Sequence, residues 1–388
     1  MKTQTRFKTF FFLSLMGNGV LMPYLGLYLA NKGFTGAELA LLLGALPLVK
    51  VFAQPIWGLL SDVYQIRRRI LSYSLFGLAF FATLLTVMDD FGAILIALVI
   101  FSVLEAPYIP LGVTITLDYL EAGAQQDQFG LIRLWGSVGY ILSTFLIGAI
   151  FIDALIDVLP FIFALVIGST GLVSLLLPDQ ANMHVRPNWS GSFGILTQNP
   201  GFALFLTGTA FIGATIGISG QYLALYLQDI QAAGWLIGLA IALQPIVEVP
   251  LMAQTKNLLA RFGIPMALFA GLVVLPLRWS LYALIQQPLL ILPVQFLHGF
   301  TIMSMMVVGP IYVKNQLPAR WMATGQALYS TAFGGIGMSF GLFVAGYVYG
   351  FFGMQAVWIA CLVLSIVGLL LVSVATIGIP RLYPVKTG

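Results

Sequence analysis

The sequence predicts an all-α membrane protein of twelve transmembrane helices, arranged as two six-helix bundles related by a pseudo-two-fold axis. Three observations predict it: the scarcity of charge, twelve apolar stretches of spanning length, and an internal repeat at a single offset. Of the 388 residues, 60% are hydrophobic and 8% charged. A soluble domain carries about 25% charged residues. With 17 bases and 13 acids, a water-soluble fold of this length has too few charges to clothe its surface. Most of that surface must therefore face lipid.

A helix crosses the hydrocarbon core with roughly 20 apolar residues. Charges, prolines and polar clusters divide the chain into such stretches near 7–30, 37–60, 70–88, 91–117, 128–151, 156–177, 200–227, 233–256, 264–284, 289–313, 321–348 and 354–378. They are too long, and too little alternating, for barrel strands. The basic start ahead of Phe10-Phe11-Phe12-Leu13 resembles a secretory signal. The apolar run continues through Asn18 and Pro23 to Ala30, beyond a signal's short core, so it reads as the first span. The single cysteine, Cys361, lies deep in the twelfth stretch, which excludes a disulfide framework or a Cys-based metal site.

Charge placement sets the orientation. With both termini cytoplasmic, the inner segments hold Lys2, Arg6, Lys8, Arg67, Arg68, Arg69, Arg186, Lys256, Arg261, Lys314, Arg320, Arg381 and Lys386. The opposite face has Lys32, together with Asp89, Asp90, Asp153, Asp157 and Asp229. This is the positive-inside distribution, so the net charge of +4 is topogenic and implies no nucleic-acid partner. The expected location is a bacterial inner membrane. The Asn188-Trp-Ser190 sequon then falls on the cytoplasmic side and carries no meaning.

Displacing the chain by 198 residues superposes three motifs. Tyr24-Leu-Gly-Leu-Tyr-Leu29 falls on Tyr222-Leu-Ala-Leu-Tyr-Leu227, Pro47-Leu-Val-Lys-Val51 on Pro245-Ile-Val-Glu-Val249, and Trp135-Gly-Ser-Val-Gly139 on Phe333-Gly-Gly-Ile-Gly337. Three coincidences in corresponding stretches mark a duplication of six helices, its halves related by an axis along the membrane normal. The expected halves are 1–177 and 200–388, tethered by the polar stretch 178–199. Substrate sites in such architectures lie near the bilayer midplane at the repeat interface.

The end of the second stretch reads Gly58-Leu-Leu-Ser-Asp62, followed by Arg67, Arg68 and Arg69. This resembles the loop of the major facilitator superfamily that latches helix ends on the cytoplasmic side. The copy after the eighth stretch keeps Lys256 and Arg261 but lacks the Asp. The run Gly130-Leu-Ile-Arg133-Leu-Trp-Gly-Ser-Val-Gly139 is similar to the fifth-helix signature of the phenylpropionate permease and lactose permease-like group of proton symporters. Glu248, Arg278-Trp279 and Gln295-Phe-Leu-His298 match that group in order and spacing. The resemblance implies the major facilitator fold and proton coupling through Glu248, Arg278 and His298. One turn beyond the histidine, Thr301 stands where lactose permease keeps a carboxylate, so coupling falls to Glu248 or Glu105.

Ionisable residues inside a membrane are costly and mark function by default. Six are read as lying at membrane depth: Lys50, Glu105, Arg133, Glu248, Arg278 and His298. Glu248 and Arg278, at comparable depth in consecutive stretches, are expected to form an ion pair, read either as a staple or as a site where Arg278 tunes a titrating carboxyl. Glu105 precedes Pro107 and Pro110, which are expected to kink the helix. It is read as facing a cavity or as a packing partner. Arg133 resembles a substrate-binding position, with the flat ring of Trp135 nearby, though it is also placed to snorkel to water. For Lys50, repeat mate of Glu248, two readings stand: an anionic substrate contact or a hydrogen-bonded plug. Gln326 and the glycine run Gly334, Gly335, Gly337 and Gly341 suit close helix approach and a gate. Asn18, Tyr24, Gln221 and Tyr222 complete the expected binding set.

Three bases against two acids in a low-dielectric cavity favour an anionic ligand. The expected activity is secondary transport of a small polar or anionic solute (an aromatic carboxylate, a sugar or a nucleoside) by alternating access with proton symport. The alternative is an uncoupled facilitator, or an exporter of lipids or drugs. No HExxH or paired catalytic Asp pattern occurs, so no enzyme is expected. No cofactor or metal is expected either; the proton gradient supplies the energy, and the chain is expected to work as a monomer.

Overall fold

The computed structural model describes residues 3–123, 128–178, 199–318 and 321–378. Lys2, His184, Arg186, Asn188, Arg320, Arg381, Lys386 and most of the expected tether lie outside the described residues. Among the described residues, ten apolar helical runs are long enough to cross a membrane: α1 Thr3–Asn31, α2 Gly36–Tyr64, α3 Arg67–Leu85, α4 Phe91–Ala122, α5 Phe129–Phe151, α6 Ile156–Ser174, α7 Pro200–Asp229, α8 Gly234–Leu284, α9 Pro288–Gln316 and α10 Thr324–Ile377.

Two of these runs are double length, α8 with 51 residues and α10 with 54. At 1.5 Å per residue a straight helix of that size extends about 75–80 Å, far more than a bilayer's roughly 30 Å core. Each is broken by a glycine of positive φ, Gly263 (72°) in α8 and Gly353 (77°) in α10. A side chain is strained in that region, and glycine is not. The limbs are 234–262 and 264–284 in α8, and 324–352 and 354–377 in α10.

Local chemistry sets the other boundaries. Thr35 and Glu38 form a reciprocal capping box at the start of α2, and the Asp90 carboxylate accepts the Ala93 N–H at the start of α4. Pro23 sits in a 3₁₀ turn, Met22–Tyr24, inside α1. The kink expected at Pro107 is present: regular helix ends at Glu105 and resumes at Tyr108. α4 then continues to Ala122, past the end expected at 117. π-helical turns occupy Met303–Val308 in α9 and Thr331–Gly337 in α10. Such turns often accompany functional positions.

The chain divides into two compact units. The first comprises Met1–Val185 with Gln221–Ala242, the second Arg186–Gly220 with Leu243–Gly388. In the first, α1 packs on α5, where Gly139 meets the Phe12 carbonyl. Residues 221–242 join this unit because Gly26 abuts the Gln221 carbonyl and Gly148 meets Gly234 and Gly238 backbone to backbone. The Asp153 carboxylate also accepts the Gly234 N–H at 3.0 Å. In the second unit, the glycine run packs α10 on α7: Gly337 meets Ala210 and Gly341 meets Ala214.

Candidate functional site

The second unit buries a continuous polar network among apolar helices. Glu248 stands on the first limb of α8, Arg278 and Tyr282 on its second limb, and Gln295 and His298 on α9. A spacing of three or four residues puts each of the last two pairs on one helix face. Arg278 is fully buried, so its charge needs partners. One terminal nitrogen lies 2.7 Å from Nδ1 of His298. The other donates to the Tyr282 hydroxyl at 3.1 Å and to Oε1 of Gln295 at 3.3 Å. Its Cζ lies over the rings of Trp279 and Tyr282, at 4.7 and 5.4 Å from their centroids. Nε2 of His298 lies 3.0 Å from Oε1 of Glu248, whose side chain is 24% exposed.

The direct Glu248–Arg278 ion pair expected from the sequence is therefore corrected. His298 is inserted between them, one ring nitrogen facing each partner. Gln295 orders the base of the network, its Nε2 donating to Tyr282 Oη at 2.7 Å and its Oε1 also accepting from Gln244 at 3.2 Å. Thr301, at the position of the missing carboxylate, gives its hydroxyl to the Gly271 carbonyl, 3.3 Å away on the second limb of α8.

The first unit holds a separate charged cluster. Lys50 on α2 is ion-paired with Glu105 on α4 at 2.6 Å, a partner the sequence left open. Tyr108, one turn beyond Glu105, lies beside Asn18 and within electrostatic range of Glu105 and Arg133. The Arg133 guanidinium lies 5.9 Å from the Phe11 ring centroid. Trp135, two positions on and 47% exposed, leaves α5 on another flank.

Several expected residues serve the scaffold. Tyr24 is buried, its hydroxyl donated to the Thr144 carbonyl. Gln326 donates to the Pro310 carbonyl at 2.8 Å. Tyr222 is buried within α7, and the backbone of its neighbour Gln221 backs Gly26. At the position of the expected latch, Gly58 and Asp62 lie in the last two turns of α2, and Arg67 is buried between Asp62 and Asp118, 2.8 Å from each. Arg68 donates to the Leu177 carbonyl at 3.2 Å, and Arg69 is exposed. Asp118 was missed because the helix was expected to stop at 117. Tyr282 and Gln244, uncharged, gave no signal in an apolar context.

Residues 4–360 match the model of the MFS_1 like family. The maltose permease of Geobacillus stearothermophilus is 26% identical over 382 residues, covering 95% of this chain and 93% of the permease. The "Probable 3-phenylpropionic acid transporter" of Escherichia coli (strain K12) is 24% identical, covering 91% and 93%. A crystal structure of the nucleoside transporter NupG shares the fold with a TM-score of 0.85 at 19% identity, covering 97% of this chain and 98% of that one. The chain belongs to the MFS_1 like family and is a multi-pass membrane transporter, not an enzyme.

Proposed function

We propose that the protein is a proton-coupled symporter carrying a small polar solute across a bacterial inner membrane by alternating access. In this reading α8 and α10 each count as two spans, giving twelve. The halves 1–177 and 200–388 are joined by 178–199, both termini are cytoplasmic, and the monomer is the working unit. The observation that carries it is the chain Glu248–His298–Arg278. A carboxylate 24% exposed and backed by a buried, permanently charged base is suited to taking up and releasing a proton.

Lys50 is neutralised by Glu105, and Glu248 offsets Arg278 through the imidazole. The count is still three bases against two acids, so the solute class stays polar or anionic, with a sugar or a nucleoside singled out by the relatives alone. Relatives named for maltose and nucleosides support the same reading. Asn18, Glu105, Arg133, Gln221, Tyr222 and Glu248 are the proposed substrate contacts.

Reconstituted vesicles test this directly. An imposed inward proton gradient should drive accumulation of maltose or a nucleoside, and Glu248→Gln should abolish accumulation while preserving exchange. Accumulation by the Gln variant equal to that of the parent would refute coupling through Glu248. Gradient-independent equilibration in the parent would favour an uncoupled facilitator.

A further inference from the structure

We propose that Tyr282 and Gln295 are positioning residues that aim Arg278 at Nδ1 of His298, fixing this histidine as the neutral Nε2–H tautomer and leaving Glu248 to carry the proton. The inference rests on the coupling reading above and deepens it.

The argument is one of donors and acceptors. Arginine has five N–H donors and no acceptor, and stays protonated. A ring nitrogen 2.7 Å from its terminal nitrogen must therefore accept, so Nδ1 of His298 bears a lone pair. Imidazolium carries hydrogen on both nitrogens and would set N–H against N–H at that contact. His298 is thus neutral, its hydrogen on Nε2, donated across 3.0 Å to Oε1 of Glu248. A proton entering the cluster finds its basic site on Glu248, whose protonated form still accepts the Nε2–H through its carbonyl oxygen. The histidine transmits the field of Arg278 to the carboxylate and keeps its tautomer through the cycle.

The aim of Arg278 is set by its other nitrogen, tied at once to the Tyr282 hydroxyl and to Oε1 of Gln295. The amide orientation of Gln295 follows from the same logic: only its oxygen can face the guanidinium, so its nitrogen donates to Tyr282 at 2.7 Å. Gln244 adds a further donor to that oxygen. The charged or titratable groups about His298 are Glu248 on the first limb of α8, Arg278 and Tyr282 on the second, and Cys361 on the second limb of α10, within electrostatic range of Arg278.

The chain has two histidines, so His184→Gln leaves His298 as a single reporter. Nitrogen-15 NMR of the full-length protein in nanodiscs reads its tautomer. The expected spectrum shows a protonated Nε2 and an unprotonated Nδ1 at neutral pH and on acidification, for as long as the protein stays folded. Tyr282→Phe keeps the ring, and Gln295→Leu keeps the volume. Each should convert the single tautomer to a mixture that becomes imidazolium in acid. Arg278→Lys, which keeps charge but loses the planar fork, should do the same. An Nδ1–H tautomer or imidazolium in the reporter at neutral pH overturns the proposal, as does an unchanged spectrum in both Tyr282→Phe and Gln295→Leu. Gradient-driven uptake by Glu248→Gln is read separately: its persistence alongside the expected tautomer would sink coupling through Glu248 and leave the positioning intact.

Discussion

A guanidinium nitrogen of Arg278 lies 2.7 Å from Nδ1 of His298, and the far side of the same imidazole faces Glu248 at 3.0 Å. Arginine and carboxylate are thereby linked through the imidazole without touching.

Replacing Arg278 by Lys should therefore be far from conservative. A lysine ammonium is a point donor on a flexible stem and cannot hold His298, Tyr282 and Gln295 together. Losing one charged hydrogen bond costs about 1.5–3 kcal/mol, so gradient-driven uptake should fall at least about tenfold. Initial-rate uptake in vesicles at matched protein content checks this.

Lys50 and Glu105 should behave as a thermodynamic couple. Removing one partner of a buried pair strands the other, at a cost of about 3–5 kcal/mol, whereas replacing both is often near neutral. The Lys50 side chain is 31% exposed, so solvent screening should bring Lys50→Met down to about 1–3 kcal/mol. Thermal unfolding should show Lys50→Met less stable than the parent and Lys50→Met/Glu105→Gln recovering much of the loss.

The two acids that share Arg67 should differ. Asp62 is 37% exposed and Asp118 is 2% exposed. Asp118→Ala should cost about 3 kcal/mol by leaving the Arg67 charge buried. Asp62→Ala should cost about 1 kcal/mol or less, as for an exposed pair. A thermal-stability ranking with Asp62→Ala the more damaging would overturn this assignment.

The glycine contact between α5 and α8 should be intolerant of bulk. A side chain at Gly148 meets the Gly238 backbone, which cannot give way as a flexible side chain does. Gly148→Val should separate the two helices and break the Asp153 bond to the Gly234 N–H. Increased labelling of a cysteine placed at Leu236, which is buried in the parent, is the expected outcome, in a background with Cys361 removed.

The sequence by itself determined the membrane class, and from it come the expected orientation, the expected duplication and the charges expected at membrane depth. Each follows from one-dimensional quantities: run length, charge placement and offset. It marked Glu248, Arg278 and His298 because an ionisable residue stands out against an apolar background. It also foresaw the break in α4, since proline acts locally. Tertiary structure alone decided who meets whom. Lys50 found Glu105 across 55 positions, Asp118 joined Arg67 because α4 runs one turn past its expected end, and His298 came between two residues expected to touch. Uncharged Tyr282, Gln244 and Gln295 acquired roles only when two limbs of α8 and one face of α9 brought their donors and acceptors within 3.3 Å of Arg278 or of one another. Hydrogen bonds need direction and sub-ångström distance, and a linear sequence carries neither.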